Sequence, residues 1–137
     1  MTQLEALKQI AARDGGLLRP AAVVEAARDE DSPLHDAFCW DDTEAAKRYR
    51  ILQAQKLIRS FRVVVEDQET PVFVNLSVDR VGDSEENPYR LVETLRNDTD
   101  LLAVAERDAL EQLKGLRERY GHLKRLNSIW SAIDKAG

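Results

Sequence analysis

The apolar pattern changes period between residues 44 and 78, and that change commits the chain to a mixed architecture. Over residues 44–62, Ala46, Ala54, Leu57, Ile58 and Phe61, together with Ala45, Tyr49 and Leu52, recur at helical spacing on more than one face. Over residues 72–78, Val72, Val74, Leu76 and Val78 alternate with Phe73, Asn75 and Ser77, the period of a half-buried strand. Residues 61–66 are rich in β formers and residues 67–70 read as a turn, so the helix is expected to run into a β-hairpin.

Two helices are expected upstream. Residues 2–13 open with Thr2 and Glu5 at capping-box spacing and carry Leu4, Leu7, Ile10 and Ala11 as an apolar face. Gly15 and Gly16 end that helix, and Pro20 suits the first turn of the next. Residues 29–33 (DEDSP) form an acidic solvated loop, after which Leu34, Phe38 and Trp40 are expected to fold back and plug the core. Asp41, with Glu44 three residues on, is the expected cap of the third helix.

Downstream, residues 79–88 (DRVGDSEENP) read as an acidic linker ending in Asn87-Pro88, a good helix start. A short helix over residues 89–96 follows, then one long helical pattern from residue 99 to the end. There Leu102, Ala109, Leu113, Leu116, Tyr120, Leu123 and Trp130 keep a/d spacing, with Asn127 at an a-type position. The expected architecture is therefore mainly α with a β-hairpin. A three-helix, winged-helix-like domain spans residues 1–78, a linker residues 79–88, and a coiled-coil-like helical oligomerisation segment residues 89–137.

Composition narrows the function. A net charge of −5 argues against a protein that is basic all over and coats nucleic acid, but it leaves room for a local basic face. Residues 44–62 supply one: Lys47, Arg48, Arg50, Lys56, Arg59 and Arg62 stand against the single acid Glu44. The functional reading is phosphate contact. The competing reading is a solvated face balancing Asp29, Glu30, Asp31, Asp41 and Asp42. The lone Cys39 rules out a disulfide within the chain, and together with the absence of a leader-like or membrane-length apolar run it points to the cytoplasm of a host cell.

Catalytic and metal chemistry find little purchase. His35, Cys39, Asp41 and Asp42 are metal-capable types without paired ligand spacing, and His122 lies far along the chain. Cys39 lacks an orienting triad, so a small buried cysteine is the expectation. Glu66, Asp67 and Asp79 have no converging lysine on the VFVNLSV strand, and no Gly-rich phosphate loop is present. No metal, no cofactor and no enzymatic activity are expected.

The segment from Val23 onwards carries a distinctive pattern: Val23, Val24, Ala26, Ala27, Arg28 and Asp29, then SPLH at residues 32–35, Phe38, WDD at residues 40–42, Ala45, Ala46, Tyr49, Arg50, Gln53, Ala54, LIRS at residues 57–60 and Val63. With LKGLRERYGHLKRLNSIWSAI near the end, it resembles small, mostly uncharacterised proteins of tailed phages and prophages, over about two thirds of the chain. Cys39 stands where that pattern has Glu, and Gln55-Lys56 where it has an Arg-rich pair. The resemblance implies a phage or prophage origin and no particular activity. The residues themselves point to a non-enzymatic accessory protein that binds DNA through the basic helix as a homodimer. Leu113, Leu116, Tyr120, Leu123, Asn127 and Trp130 would form the seam, unless that helix packs back on its own chain. The alternative is a scaffold or adaptor for a phage or host protein, without nucleic acid.

Overall fold

The computed structural model describes residues 1–41, 43–80, 82 and 86–137. It is mainly helical with two small antiparallel sheets. Asp42 and positions 81 and 83–85 of the expected linker lie outside the described residues.

Helix α1 (Gln3–Arg13) begins with the expected capping box: the Thr2 hydroxyl accepts from the Glu5 amide, and the Glu5 carboxylate accepts from the Thr2 amide. Gly15 and Gly16 both take positive φ and release the chain into Leu18. Pro20 opens α2 (Pro20–Ala27) at its first turn. Helix α3 (Glu44–Ser60) is capped by Thr43, whose hydroxyl accepts from the Ala46 amide at 3.1 Å, and not by Asp41. The Asp41 carbonyl is turned instead towards Arg50.

The hairpin is real but offset. Strands β1 (Arg62–Val65) and β2 (Gln68–Pro71) pair Val63 with Thr70 and Val65 with Gln68 around a two-residue turn, Glu66-Asp67. Both turn residues have positive φ, as a type I′ turn requires. The expected turn over residues 67–70 is thus mostly strand, because the tight turn closes one residue earlier and the β2 residues complete its ladder. The alternating stretch after Pro71 contributes only β3 (Phe73–Val74), which pairs with β4 (Arg90–Leu91). Beyond it the Asn75 side chain donates to the Pro88 carbonyl and a 3-10 turn follows over Ser77–Asp79, so the strand ends.

Pro88 therefore starts no helix. It is buried, and the next residue, Tyr89, exchanges two 2.7 Å backbone hydrogen bonds with Leu18. The described ends of the expected linker are tied down. Arg90 grips Asp79 through two hydrogen bonds of 2.6 and 2.8 Å, and these raise the Arg90 pKa against the opposing effect of burial. The chain after the linker thus returns to the first body, and α4 (Val92–Arg96) continues from β4.

One apolar cluster joins α1, α2, α3, the loop between α2 and α3, and the start of β3. It includes Leu7, Ile10, Leu18, Val23, Leu34, Phe38, Ile58 and Phe73. Leu34 and Phe38 are buried and Trp40 packs against them, so the loop does plug the core as its sequence suggests.

The C-terminal helix is not continuous. Helix α5 (Thr99–Tyr120) stops at Gly121, and α6 (Asn127–Ala136) folds back along it after a 3-10 turn over Lys124–Leu126. Arg117 of α5 pairs with Asp134 of α6, and the terminal Gly137 lies against Leu110 and Lys114. The single coiled-coil register over residues 102–130 is therefore broken, and Asn127 and Trp130 leave the line set by Leu113, Leu116 and Tyr120. Gly121 explains the break. A Cβ at that position would meet the Arg117 carbonyl oxygen at 2.6 Å, closer than any real side chain sits. Near its middle α5 is anchored by Asp108, which accepts from the Ser77 amide at 2.8 Å and from the Ser77 hydroxyl. Desolvation pushes the Asp108 pKa up, and the bonds from Ser77 with the nearby Arg80 and Arg107 outweigh it and hold the carboxyl low.

Gly121→Ala is expected to loosen the α5–α6 hairpin by about 1 kcal/mol or more, as overpacking does. Amide exchange across α6 should then accelerate roughly fivefold or more, while protection of α1–α3 stays as in the wild type.

Candidate nucleic-acid interface

The row Ala46, Arg50, Ala54, Ile58, spaced four apart, is the buried face of α3. Arg50 is the exception in chemistry, since it is a cation only 2% exposed. Its Nη1 donates to the carbonyls of Cys39 at 3.0 Å and Asp41 at 2.7 Å, so one nitrogen holds the end of the α2–α3 loop. Its guanidinium carbon lies 5.2 Å from the Trp40 ring centroid. The His35 ring stacks on Trp40 at 5.0 Å and 8°, and Arg28 approaches the same indole at 5.5 Å. Trp40 Nε1 donates to the His35 carbonyl at 2.8 Å. His35 Nδ1 lies 2.8 Å from the Ala27 carbonyl, which only accepts, so that nitrogen carries the proton. The loop is thus clamped between α2 and α3 by His35, Trp40 and Arg50.

The clamp settles which side of α3 looks outward. Arg48, Tyr49, Leu52, Lys56 and Arg59 share the opposite face at helical spacing, and all five are exposed. Tyr49 and Leu52 are 53% and 51% exposed, which sets an aromatic ring and an aliphatic chain among the cations. Arg48, Lys56 and Arg59 form no ion pair among the described residues. The other expected contact residues divide differently. Lys47 is bound to Glu44 at 3.0 Å on the same helix. Arg62 lies on β1, not on the helix, and faces Glu69 at 3.9 Å across the hairpin. Arg50 is withdrawn from any interface, because both its burial and its donors serve the loop.

The residues expected at a seam also separate. Leu113, Leu116 and Tyr120 fall with Leu102 on one exposed stripe of α5, and α5 has no buried residue at all along its length. Leu123, in the turn after the break, and Asn127, at the start of α6, are exposed. Trp130 on α6 is half-buried, and its Nε1 is buried without a hydrogen-bond partner among the described residues. Cys39 is exposed rather than buried, because its backbone is what the fold uses: the carbonyl accepts from Arg50 and the amide donates to Gln53 Oε1 at 3.1 Å. Among the described residues no three His, Cys, Asp or Glu side chains converge as a metal site. Asp42, the remaining metal-capable residue of this loop, lies outside the described residues.

The sequence held a signal for Arg50 that its charge concealed. It occupies an i, i+4 row whose other members are alanine and isoleucine, ten residues after a tryptophan. The exposure of Tyr49 and Leu52 had no such signal, since apolar residues on a crowded helix ordinarily read as core. No protein-family model, no curated protein and no solved structure matches the chain.

Replacing Arg50 with Leu leaves the Cys39 and Asp41 carbonyls without their charged donor. At about 1.5–3 kcal/mol for a hydrogen bond to a charged group, a loss of about 3 kcal/mol is expected, which thermal denaturation should register as a melting point roughly 10 °C lower. Arg50→Lys is expected to recover little of it, because the shorter lysine side chain does not carry its ammonium as far as Nη1 and has no flat guanidinium to set against Trp40.

Proposed function

We propose that this is a non-enzymatic, DNA-binding accessory protein of a phage or prophage, acting in the host cytoplasm as a homodimer. The observation that carries the reading is the outward face of α3, where three cations without an ion pair among the described residues, Arg48, Lys56 and Arg59, share a face with the exposed Tyr49. Cations without intramolecular partners are free to neutralise phosphates and release counterions, and Tyr49 offers a flat surface for sugar or base. The chain as a whole is net acidic at −5, so a face of three cations is a local exception that favours approach by a polyanion there. A winged-helix reading fits the same proposal: three helices are followed by a hairpin, and Leu18, between α1 and α2, bridges to Tyr89 just before β4. The connection over residues 28–43 departs from the short turn of a helix-turn-helix, and the Arg50 clamp supplies the rigidity a short turn would give.

The dimer would form through α5. A long helix that buries no residue in its own chain while presenting Leu102, Leu113, Leu116 and Tyr120 in line suits a seam with a second copy. The same stripe favours the adaptor reading, in which another protein occupies it and α3 is only a solvated face. Among the described residues no helix is long and apolar enough to cross a membrane.

Electrophoretic shifts with random duplex DNA across a salt series test the first reading. Three phosphate contacts predict a slope of log affinity against log salt of about −3 for one copy, and about −5 for a dimer using both faces. The charge reversals Arg48→Glu, Lys56→Glu and Arg59→Glu in one chain should abolish the shift without altering the melting point. Retained binding, or none by the wild type at low salt, would leave the adaptor reading.

Leu116→Asp separates the two occupants of α5. Light scattering should report a dimer for the wild type and a folded monomer near 15.5 kDa for the variant. A wild-type monomer would reject self-association.

A further inference from the structure

The hairpin stands off the body it borders. None of the eight residues of β1 and β2 is buried, and Val64 is 71% exposed. Between the hairpin, α1 and the β4–α4 junction lies a cleft enclosing about 300 Å³, at the lower end of the range for small-ligand sites. Its floor is aliphatic: Leu4 from α1, Val63 and Val65 from the inward face of β1, and Leu91 and Val92 from the opposite wall. Val63 and Val65 meet there because residues two apart on a strand share a face.

The rim is not neutral. Lys8, Arg62 and Arg96 line the cleft against the single acid Glu93. Lys8 has no ion pair among the described residues, and the pairs that Arg62 and Arg96 make, with Glu69 and Glu66, are loose at 3.9 Å each. An apolar floor under a cationic rim matches one ligand chemistry: a flexible aliphatic body ending in an anion. A neutral lipid would leave the rim uncompensated, and a compact anion such as phosphate would leave the floor wet.

We propose that this cleft binds a free medium-chain aliphatic carboxylate, with the chain along Val63, Val65 and Leu91 and the carboxylate at Arg96 and Lys8. The site is separate from the outward face of α3 and stands whether or not that face binds DNA. Titration calorimetry with hexanoate, octanoate and decanoate tests it on the intact protein. Affinity should rise about threefold to fourfold for each added methylene until the cleft is full, and decanol should bind at least tenfold more weakly than decanoate. Val63→Asp, at an exposed position that tolerates a polar side chain, should abolish binding by setting a like charge in the floor. Arg96→Glu, on a different element, should weaken it at least tenfold. Absence of binding by the wild type, equal affinity for decanol, or unchanged affinity in either folded variant would overturn the proposal.

Discussion

One buried guanidinium holds the organisation of this chain together. A charge taken out of water is costly unless it is compensated, and Arg50 turns one nitrogen, Nη1, to two carbonyls of the loop that leads into its own helix, while its Nε is buried without a hydrogen-bond partner among the described residues. Because those carbonyls belong to residues 39 and 41, the charge also fixes where Thr43 begins α3. Because the Arg50 side chain covers Trp40, it decides that the indole sits over the small core rather than in solvent. The rotation of α3 about its axis follows from the same contact, and with it the set of cations left facing outward. Stability and the candidate interface thus share a cause. An arginine spent inward is what lets three other basic residues point away from the body.

Much of the local architecture was legible from residue chemistry. The Thr2–Glu5 box, the glycine stop and Pro20 all act through their nearest neighbours in sequence, so a single chain suffices to read them. The folding back of Leu34 and Phe38 was legible because bulky apolar groups in a polar loop have few other places to go. What failed were inferences that depend on partners far along the chain. Alternation over residues 72–78 suggested one strand of a hairpin, yet β3 finds its partner in β4 because the nearer hairpin is already completed by Gln68–Pro71. Asn87-Pro88 suggested a helix start, whereas the waiting edge of Leu18 claims the next residue as strand. The basic stripe was overcounted for a related reason: formal charge does not reveal whether a side chain faces carbonyls or water.

The C-terminal hairpin shows how little is needed to divide an amphipathic pattern. Heptad spacing continues across Gly121 as if nothing intervened, but the backbone does not. Folding back sets α6 along one side of α5 and leaves the Leu102–Tyr120 stripe beside it uncovered. A continuous helix would present a narrow seam suited to a two-stranded coil. The hairpin presents a broader surface made of two helices, on which a matching hairpin would complete a four-helix arrangement.

The paired backbone bonds between Leu18 and Tyr89 reach across most of the first body. Their consequence concerns the order of events during synthesis. Helices α1, α2 and α3 have local caps and can gain structure as they emerge, but the residue between the first two waits for a strand translated much later. Until residues 88–91 arrive, Leu18 and the edge of Phe73–Val74 remain unpaired, and the nascent chain carries open strand edges of the kind that invite intermolecular pairing. The last strand acts as a topological latch. A ribosome halted within the acidic segment before Pro88 would release a chain with α1–α3 and the β1–β2 hairpin in hand but β3 and Leu18 still without their partners.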